Sequence, residues 1–218
     1  MEISEIEANK TSKSTVFFII CAILVLIDQI TKLIIHGFAL GSIQFPGLEY
    51  GSQIPVMGDF LQITYIENPG MAFGIHFQGL GKFFLSLFSI IASALIGWYL
   101  YKIKKANIFV KFAVTLVLAG AIGNLIDRVF YGIVFGYAPL FYGRVVDFIQ
   151  VDIPDINIGN LNWSHWPIFN VADSCVTVGI VLLLIFYNKI PPFAEAFSKA
   201  KPIETNQDIE ATEKENKE

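Results

Sequence analysis

Charge is scarce in this sequence. Only 16% of its 218 residues are Asp, Glu, Lys or Arg, where a soluble domain carries about a quarter. With 54% hydrophobic residues and a mean hydropathy of +0.58, the deficit points to a membrane rather than to a large aqueous core. The two cysteines, Cys21 and Cys175, both fall in apolar runs; they read as small buried thiols, and no disulfide framework is supported. The basic residues form no face of the kind that binds nucleic acid, so no nucleic-acid partner is expected. No internal repeat is evident, which removes the sequence sign of an inverted-repeat transporter.

What is present is a set of long apolar runs. Four segments, roughly 15–35, 81–101, 108–130 and 168–187, suit a hydrocarbon layer that takes about 20 residues of helix to cross. They predict an all-α membrane protein with four transmembrane helices in one domain over 15–188. The first run is too long for a signal-peptide core, lacks a small-x-small cleavage site and carries Asp28 and Lys32 at its far end, so it reads as a retained helix. The "FFII" before Cys21 likewise lacks the small residues of a lipoprotein cleavage box.

Basic residues orient the spans. Lys10 and Lys13 precede the first, Lys102, Lys104, Lys105 and Lys111 surround the second-to-third connection, and Lys189, Lys199, Lys201, Lys214 and Lys217 follow the fourth. These are eleven of the 15 Lys and Arg. Their side is the cytoplasm and holds both termini, a tail over 1–14 and another over 189–218. The second tail ends in "IETNQDIEATEKENKE", polar, without aromatics and expected to be disordered.

Two segments then lie outside, about 36–79 and 131–167. In the first, "DFLQITYIEN" alternates Leu61, Ile63 and Tyr65 with Gln62 and Thr64, the pattern of a half-buried strand. A small β-structure on the outer membrane surface is expected there. The second brings Trp163 and Trp166 to the entrance of the fourth span, where indole rings favour the interface.

Polar groups inside spans are expensive and are functional candidates by default. With this topology Asp28, Lys32, Asn124, Asp127, Arg128, Asn170 and Asp173 all fall at the outer ends of spans, and "ENPGMAFG" and Asp147 approach the same level from outside. Each has a plainer reading. Asp28–Lys32 and Asp127–Arg128 read as helix-end pairs, Asn124 and Asn170 as interhelical hydrogen-bond glue, and Asn68 with Gly70 as a turn. Asp147 and Asp173 resist it. The first is flanked by Val145, Val146, Phe148 and Ile149, and the second has no cation within one turn of its own helix.

The residue list narrows the chemistry. His36, His76 and His165 are scattered, with no His-Glu-x-x-His pair for zinc. No Gly-x-Ser-x-Gly elbow occurs, and Cys175 has no histidine at its depth to activate it. A serine–lysine dyad through Lys32 is harder to exclude, although no serine is clearly paired with it. Carboxylate chemistry remains: two carboxyl groups in a low-dielectric site share a proton, so that one activates water while the other polarises a carbonyl. Asp147 and Asp173 have the surroundings that best suit it.

Five blocks carry a resemblance: "DQITK" at 28–32, "ENPGMAFG" at 67–74, "GAIGNLIDR" at 120–128, "VVDF" at 145–148 and "FNVAD" at 169–173. In this order and on these spans they resemble the bacterial lipoprotein signal peptidase (signal peptidase II) family over about 15–188. The resemblance implies a membrane aspartic peptidase with Asp147 and Asp173 as its catalytic pair. It also implies that Asp28, Lys32, Asn68, Gly70, Asn124, Asp127, Arg128, Asn170 and Ala172 position the pair and the substrate backbone. The implied fold is four transmembrane helices with a small periplasmic β-cradle and extracytoplasmic loops, without metal or cofactor. The implied substrate is a diacylglyceryl-modified prolipoprotein, cut immediately before its lipidated cysteine at the periplasmic face of a bacterial inner membrane. Membrane lipid is the other expected partner, and a monomer is expected. Two stretches depart from the family by their length, "FYGIVFGYAPLFYG" at 130–143 and "NIGNLNWSHWP" at 157–167. The first is expected to form a flap over the bound lipopeptide.

Two other classes compete. A proton- or ion-coupled transporter could use Asp28, Asp127 and Asp173, but the polar groups stop at one face. A structural membrane protein would use the polar residues only to join helices, and would tolerate amides at positions 147 and 173.

Overall fold

The computed structural model of the chain describes residues 2–72, 75–76, 79–158 and 161–192, with the side chains of 2–14, 40, 71–72, 75–76, 154–158 and 161–165 left aside. The expected C-terminal tail beyond 192 and the side chain of Trp163 lie outside the described residues. In chain order the elements are α1 (Glu2–His36), β1 (Phe38–Leu40), β2 (Ile43–Phe45), β3 (Gln53–Met57), β4 (Leu61–Asn68), β5 (Met71–Ala72), β6 (Ile75–His76), α2 (Leu80–Lys102), α3 (Ile108–Ile126), a π-helical turn (Asp127–Tyr131), α4 (Gly132–Val134), β7 (Val145–Ile158), β8 (Leu161–His165) and α5 (Val171–Ile185).

Among the described residues three helical stretches are long and apolar enough to cross a membrane: Thr15–His36, Leu80–Lys102 and Ile108–Val134. The fourth expected span is represented by the shorter apolar α5, of 15 residues. Its start is fixed by Asn170, whose side chain accepts the Asp173 N–H at 2.9 Å while the Asp173 carboxylate accepts the Asn170 N–H at 3.3 Å, a reciprocal capping box. The apolar residues Ile168 and Phe169 therefore stay outside the helix, and Phe169 is bridged to Ile149 instead.

α3 is at the centre and packs against α1, α2 and α5. It is apolar but for Lys111, Thr115 and Asn124, as suits a helix packed against three others, and glycines let its neighbours approach. A Cβ on Gly120 would strike the Ala172 carbonyl oxygen, and one on Gly123 would stand 2.7 Å from an Asp28 carboxylate oxygen and 3.0 Å from the Ala172 Cβ. α1 turns the opposite way, with Val16, Ile19, Ile23, Leu26, Ile27, Ile30 and Ile34 exposed as a lipid-facing stripe.

Outside the helices stands an open four-stranded antiparallel sheet in the order β3-β4-β7-β8. β4 matches the strand expected from "DFLQITYIEN", but its alternation is not clean: Thr64 is buried because its hydroxyl donates to the Ser52 carbonyl at 2.8 Å. β7, at 14 residues, is the larger finding. Val145, Val146 and Phe148 are all buried, so both faces of the strand are covered and the period-two signal is lost. The pairing puts Ile66 opposite Asp147, Glu67 opposite Val146 and Asn68 opposite Val145.

The long 130–143 connection packs back onto the molecule. Phe141 and Gly143 donate backbone N–H groups to the Val129 and Arg128 carbonyls at 3.1 and 2.9 Å. Ser86 of α2 donates its hydroxyl to the Phe141 carbonyl at 2.9 Å, and Phe135 stacks on His36 at the end of α1 with ring centroids 3.7 Å apart.

Candidate active site

The C-terminal end of α1 and the end of α3 with the π-helical turn that follows it enclose a charged block. Lys32, with no exposed surface, lies 2.9 Å from Asp28 and 2.8 Å from Asp127, each almost fully buried. Its ammonium also donates to the Asn124 side-chain oxygen at 3.0 Å. Two acids around one base and one amide satisfy all three ammonium protons. Asp28 accepts the Ala172 N–H on its other oxygen at 2.8 Å, and the Asp127 oxygen that meets Lys32 also accepts the Val146 N–H at 3.3 Å. The charged block is thus tied to the first turn of α5 and to β7. The π-helical turn that begins at Asp127 widens the backbone where α3 would otherwise continue, a distortion often found at functional sites.

Next to this block stand Asp147 and Asp173. Asn170 holds both, donating its side-chain amide to Asp147 at 2.7 Å and its backbone N–H to Asp173 at 3.3 Å. The same amide is in reach of the Asn124 oxygen at 3.1 Å and the Val146 carbonyl at 3.3 Å. Asn124 donates to Asp173 at 2.7 Å, so an unbroken chain of hydrogen bonds runs from Lys32 through Asn124 to Asp173. Asp147, 5% exposed, also hydrogen-bonds the Asn68 side chain, whose oxygen accepts the Gly70 N–H at 3.0 Å in a turn that Gly70 makes with φ 107°. Burial, and then the neighbouring Asp173 charge, push the Asp147 carboxyl up to about 7, against the pull of Asn170, Lys32 and Asn68. Asp173 is only half-buried. One carboxyl that holds a proton near neutrality, beside a second that accepts from N–H donors, is the asymmetry that acid–base hydrolysis of an amide needs.

Comparison with known proteins gives this constellation its context. The family model described as signal peptidase (SPase) II matches residues 20–189. The chain belongs to the signal peptidase II family. The lipoprotein signal peptidase of Chlorobaculum tepidum is 36% identical over 80% of this chain and 94% of its own length. That of Porphyromonas gingivalis is 36% identical over 75% and 83% respectively. Two solved bacterial membrane enzymes, determined by the in meso method at 2.3 and 1.9 Å, are 31% and 32% identical. They superpose with TM-scores of 0.53 and 0.55 over 87% and 81% of this chain, covering 94% and 95% of theirs.

Of the residues singled out in the sequence as signal peptidase II positions, Asp28, Lys32, Asn124, Asp127, Asn170, Ala172 and Asp173 meet in this one network, joined by Asp147 and Asn68 from the sheet. Gly70 shapes the turn behind Asn68. Asp127 pairs with Lys32 across helices, so the plainer pairing with Arg128 is not the one formed. Arg128 instead buries an Nε that has no hydrogen-bond partner among the described residues, within electrostatic reach of Asp127, Asp173 and Asp147. Sequence reasoning missed Gln29. Its amide donates to Asp127 at 2.9 Å, to Asp28 and the Gly123 carbonyl at 3.1 Å each, and its oxygen accepts the Tyr131 hydroxyl at 3.1 Å. A polar residue beside Asp28 inside an apolar span was the available signal.

A second polar cluster, also unforeseen, gathers around Glu67 of β4. Glu67 accepts the Tyr65 hydroxyl at 2.6 Å and Arg144 at 2.8 Å, with His36 3.6 Å away. Burial opposes ionisation of Glu67, but the hydrogen bonds from Tyr65 and Arg144 prevail and hold its carboxyl below the usual range.

Proposed function

We propose that Asp147 and Asp173 are the water-activating pair of this enzyme and that Asn170 sets their separation and orientation. The chain is an aspartic endopeptidase of the lipoprotein signal peptidase type. It removes the signal peptide of a diacylglyceryl-modified prolipoprotein, cutting immediately before the lipidated cysteine. The observation that carries the assignment of the pair is the double grip of Asn170 on two carboxyl groups, one of them buried and raised to about 7.

In this reading Asp147 holds the shared proton in the resting enzyme. Asp173 takes a proton from a water molecule as its oxygen attacks the scissile carbonyl carbon. Asp147 donates its proton to the carbonyl oxygen as that oxygen gains charge. The tetrahedral intermediate collapses when Asp173 passes its proton to the leaving nitrogen and Asp147 recovers its own, so the C–N bond breaks with protons balanced. Lys32, buried between Asp28 and Asp127, holds Asn124 and through it the Asp173 carboxylate. Asn68, Gly70, Arg128 and Ala172 position the pair and the substrate backbone.

The chain crosses the membrane four times in this proposal, α5 being the fourth crossing, over a domain at 15–188. Both termini are cytoplasmic, as the eleven basic residues on that side support. The pair then lies at the periplasmic face of the inner membrane, where a substrate with its acyl chains in lipid presents its scissile bond. One copy of the chain contains every group the scheme uses.

The test is a gel-shift cleavage assay on a diacylglyceryl-modified prolipoprotein in bilayers. Wild type should cut, while Asp147→Asn and Asp173→Asn, folded by thermal melt, should each lose about 10²–10⁴-fold or more in rate. Amide variants that cut normally would remove the pair. A wild type inert on intact substrate would remove the peptidase reading itself.

A further inference from the structure

The 130–143 stretch is expected from its position to be a flap, but its anchoring argues otherwise. It is fastened to α1 by the Phe135–His36 stack, to α2 by Ser86 and by the Phe141 ring set edge-on to Phe83 at 5.4 Å, and to the π-helical turn after α3 through the Val129 and Arg128 carbonyls. Phe141 is the only non-glycine residue with positive φ, 71°, among the described residues. A bend of that kind is kept where surrounding contacts fix it. Gly143, the last residue of the stretch, has room for no Cβ, which would strike the Asp127 carbonyl oxygen.

The stretch delivers Arg144 to a defined place. The Arg144 N–H donates to the Tyr137 hydroxyl at 2.8 Å and its guanidinium lies over the Tyr137 ring at 5.0 Å. From there it reaches Glu67 at 2.8 Å. Arg144 is 46% exposed and Glu67 14%, so the pair adds little to stability as an ion pair. Its place in the sheet is what matters. Glu67 faces Val146 and precedes Asn68, the residue that hydrogen-bonds Asp147, and Arg144 precedes the Val145–Val146–Asp147 run on the partner strand. The ion pair therefore locks the rungs of β4 and β7 that bring Asn68 onto Asp147. Tyr65 and His36, from β4 and α1, steady the Glu67 carboxylate from its other sides.

We propose that Glu67 and Arg144 are positioning residues for Asp147, and that 130–143 is the fixed brace holding Arg144 rather than a flap over the substrate. The inference rests on Asp147 acting in the peptidase reaction, as set out above. It requires that loosening the pair weaken the Asn68 hydrogen bond, which helps Asp147 to ionise beside Asp173, Asn170, Lys32 and Arg128. Asp147 should then hold its proton to higher pH.

The test uses the full-length protein in bilayers. pH-difference infrared spectroscopy follows the carboxyl band that disappears in Asp147→Asn, and single-turnover and steady-state cleavage are measured beside it. Glu67→Gln and Arg144→Ala, and Phe135→Ala in the brace itself, should move the Asp147 midpoint to higher pH. They should lower kcat about tenfold to a hundredfold with KM little changed. Arg144→Lys, which keeps the charge, should recover most of both. Midpoints and kcat that match wild type would overturn the proposal, as would a loss of activity with an unmoved midpoint, which marks general destabilisation. If Arg144→Ala fails to fold, Glu67→Gln, nearly isosteric, decides the matter alone. The infrared midpoint does not depend on turnover, so it tests the brace even if the protein cleaves nothing, whereas an inert wild type counts against the peptidase reading.

Discussion

Asp147→Asn gives a stability experiment whose sign and size can be worked out. The Asp147 carboxyl moves from an ordinary 3.8 to about 7 on folding, because of burial and of Asp173. A carboxyl with a higher pKa folded than unfolded binds its proton more tightly in the native state. Its contribution is complete below the unfolded value and declines as pH rises to the folded value, because the native state must bury a charge. Above about 7 it is constant again. The interval from 3.8 to about 7 corresponds to about 4 kcal/mol, at 1.36 kcal/mol per pH unit. Asparagine has no charge to bury. The unfolding free energy of wild type minus that of Asp147→Asn should therefore fall by about 4 kcal/mol between pH 4 and pH 8, nearly all of it below pH 7. Reversible unfolding in mixed micelles, followed by tryptophan fluorescence at fixed lipid content, gives both values, and subtraction cancels the carboxylates that do not interact with Asp147. In the Asp173→Asn background the fall should shrink, because one of its two causes is gone. A difference that is flat, or that rises with pH, would refute the description of Asp147 as a buried acid held by its neighbour.

Other substitutions probe the surrounding network. Lys32→Met leaves Asp28 and Asp127 buried without their cation and should cost about 3–5 kcal/mol in the same unfolding assay; adding Asp28→Asn and Asp127→Asn should restore most of it. Asn170→Ala removes the α5 cap and the grip on Asp147, so it should lower stability by about 1 kcal/mol and kcat by about 10²-fold through misplacement of the pair. Gly120→Ala drives a methyl group into the Ala172 carbonyl oxygen. It should destabilise by about 1–3 kcal/mol in thermal unfolding, with kcat falling as α5 moves from α3.

The apolar runs disclosed three crossings, because lipid-facing residues and helix length leave a direct mark on sequence. The fourth run was legible as apolar but not in its extent. Residue 168 is as hydrophobic as the helix that follows, and only the reciprocal cap between Asn170 and Asp173 decides where that helix starts. β4 was visible through alternation, whereas β7 was hidden because Val145, Val146 and Phe148 are covered on both faces. The candidate site was legible as a set of residues: charge asymmetry put the span-end polar groups at one expected level, and the motif resemblance singled out two acids among them. Their pairing was not. Asp127 has Arg128 beside it in sequence yet meets Lys32 across helices, because a π-helical turn re-aims the backbone at that point. Gln29 and Tyr131, 102 residues apart, join only through the packing of α1 on the end of α3.

The brevity of α5 has a physical consequence for the lipid around it. Its 15 residues rise about 22 Å at 1.5 Å each, whereas the hydrocarbon layer is about 30 Å thick. As the fourth crossing proposed above, an element that short would impose a hydrophobic mismatch on its own flank, to which a bilayer yields by thinning at a fraction of a kcal/mol per Å. In that arrangement the headgroups and their water would be drawn down beside α5. Such a dimple would shorten the path by which a hydrolytic water reaches the proposed pair. Turnover would then depend on acyl-chain length: bilayers of longer lipids, which resist the deformation, should slow cleavage without any change in the protein.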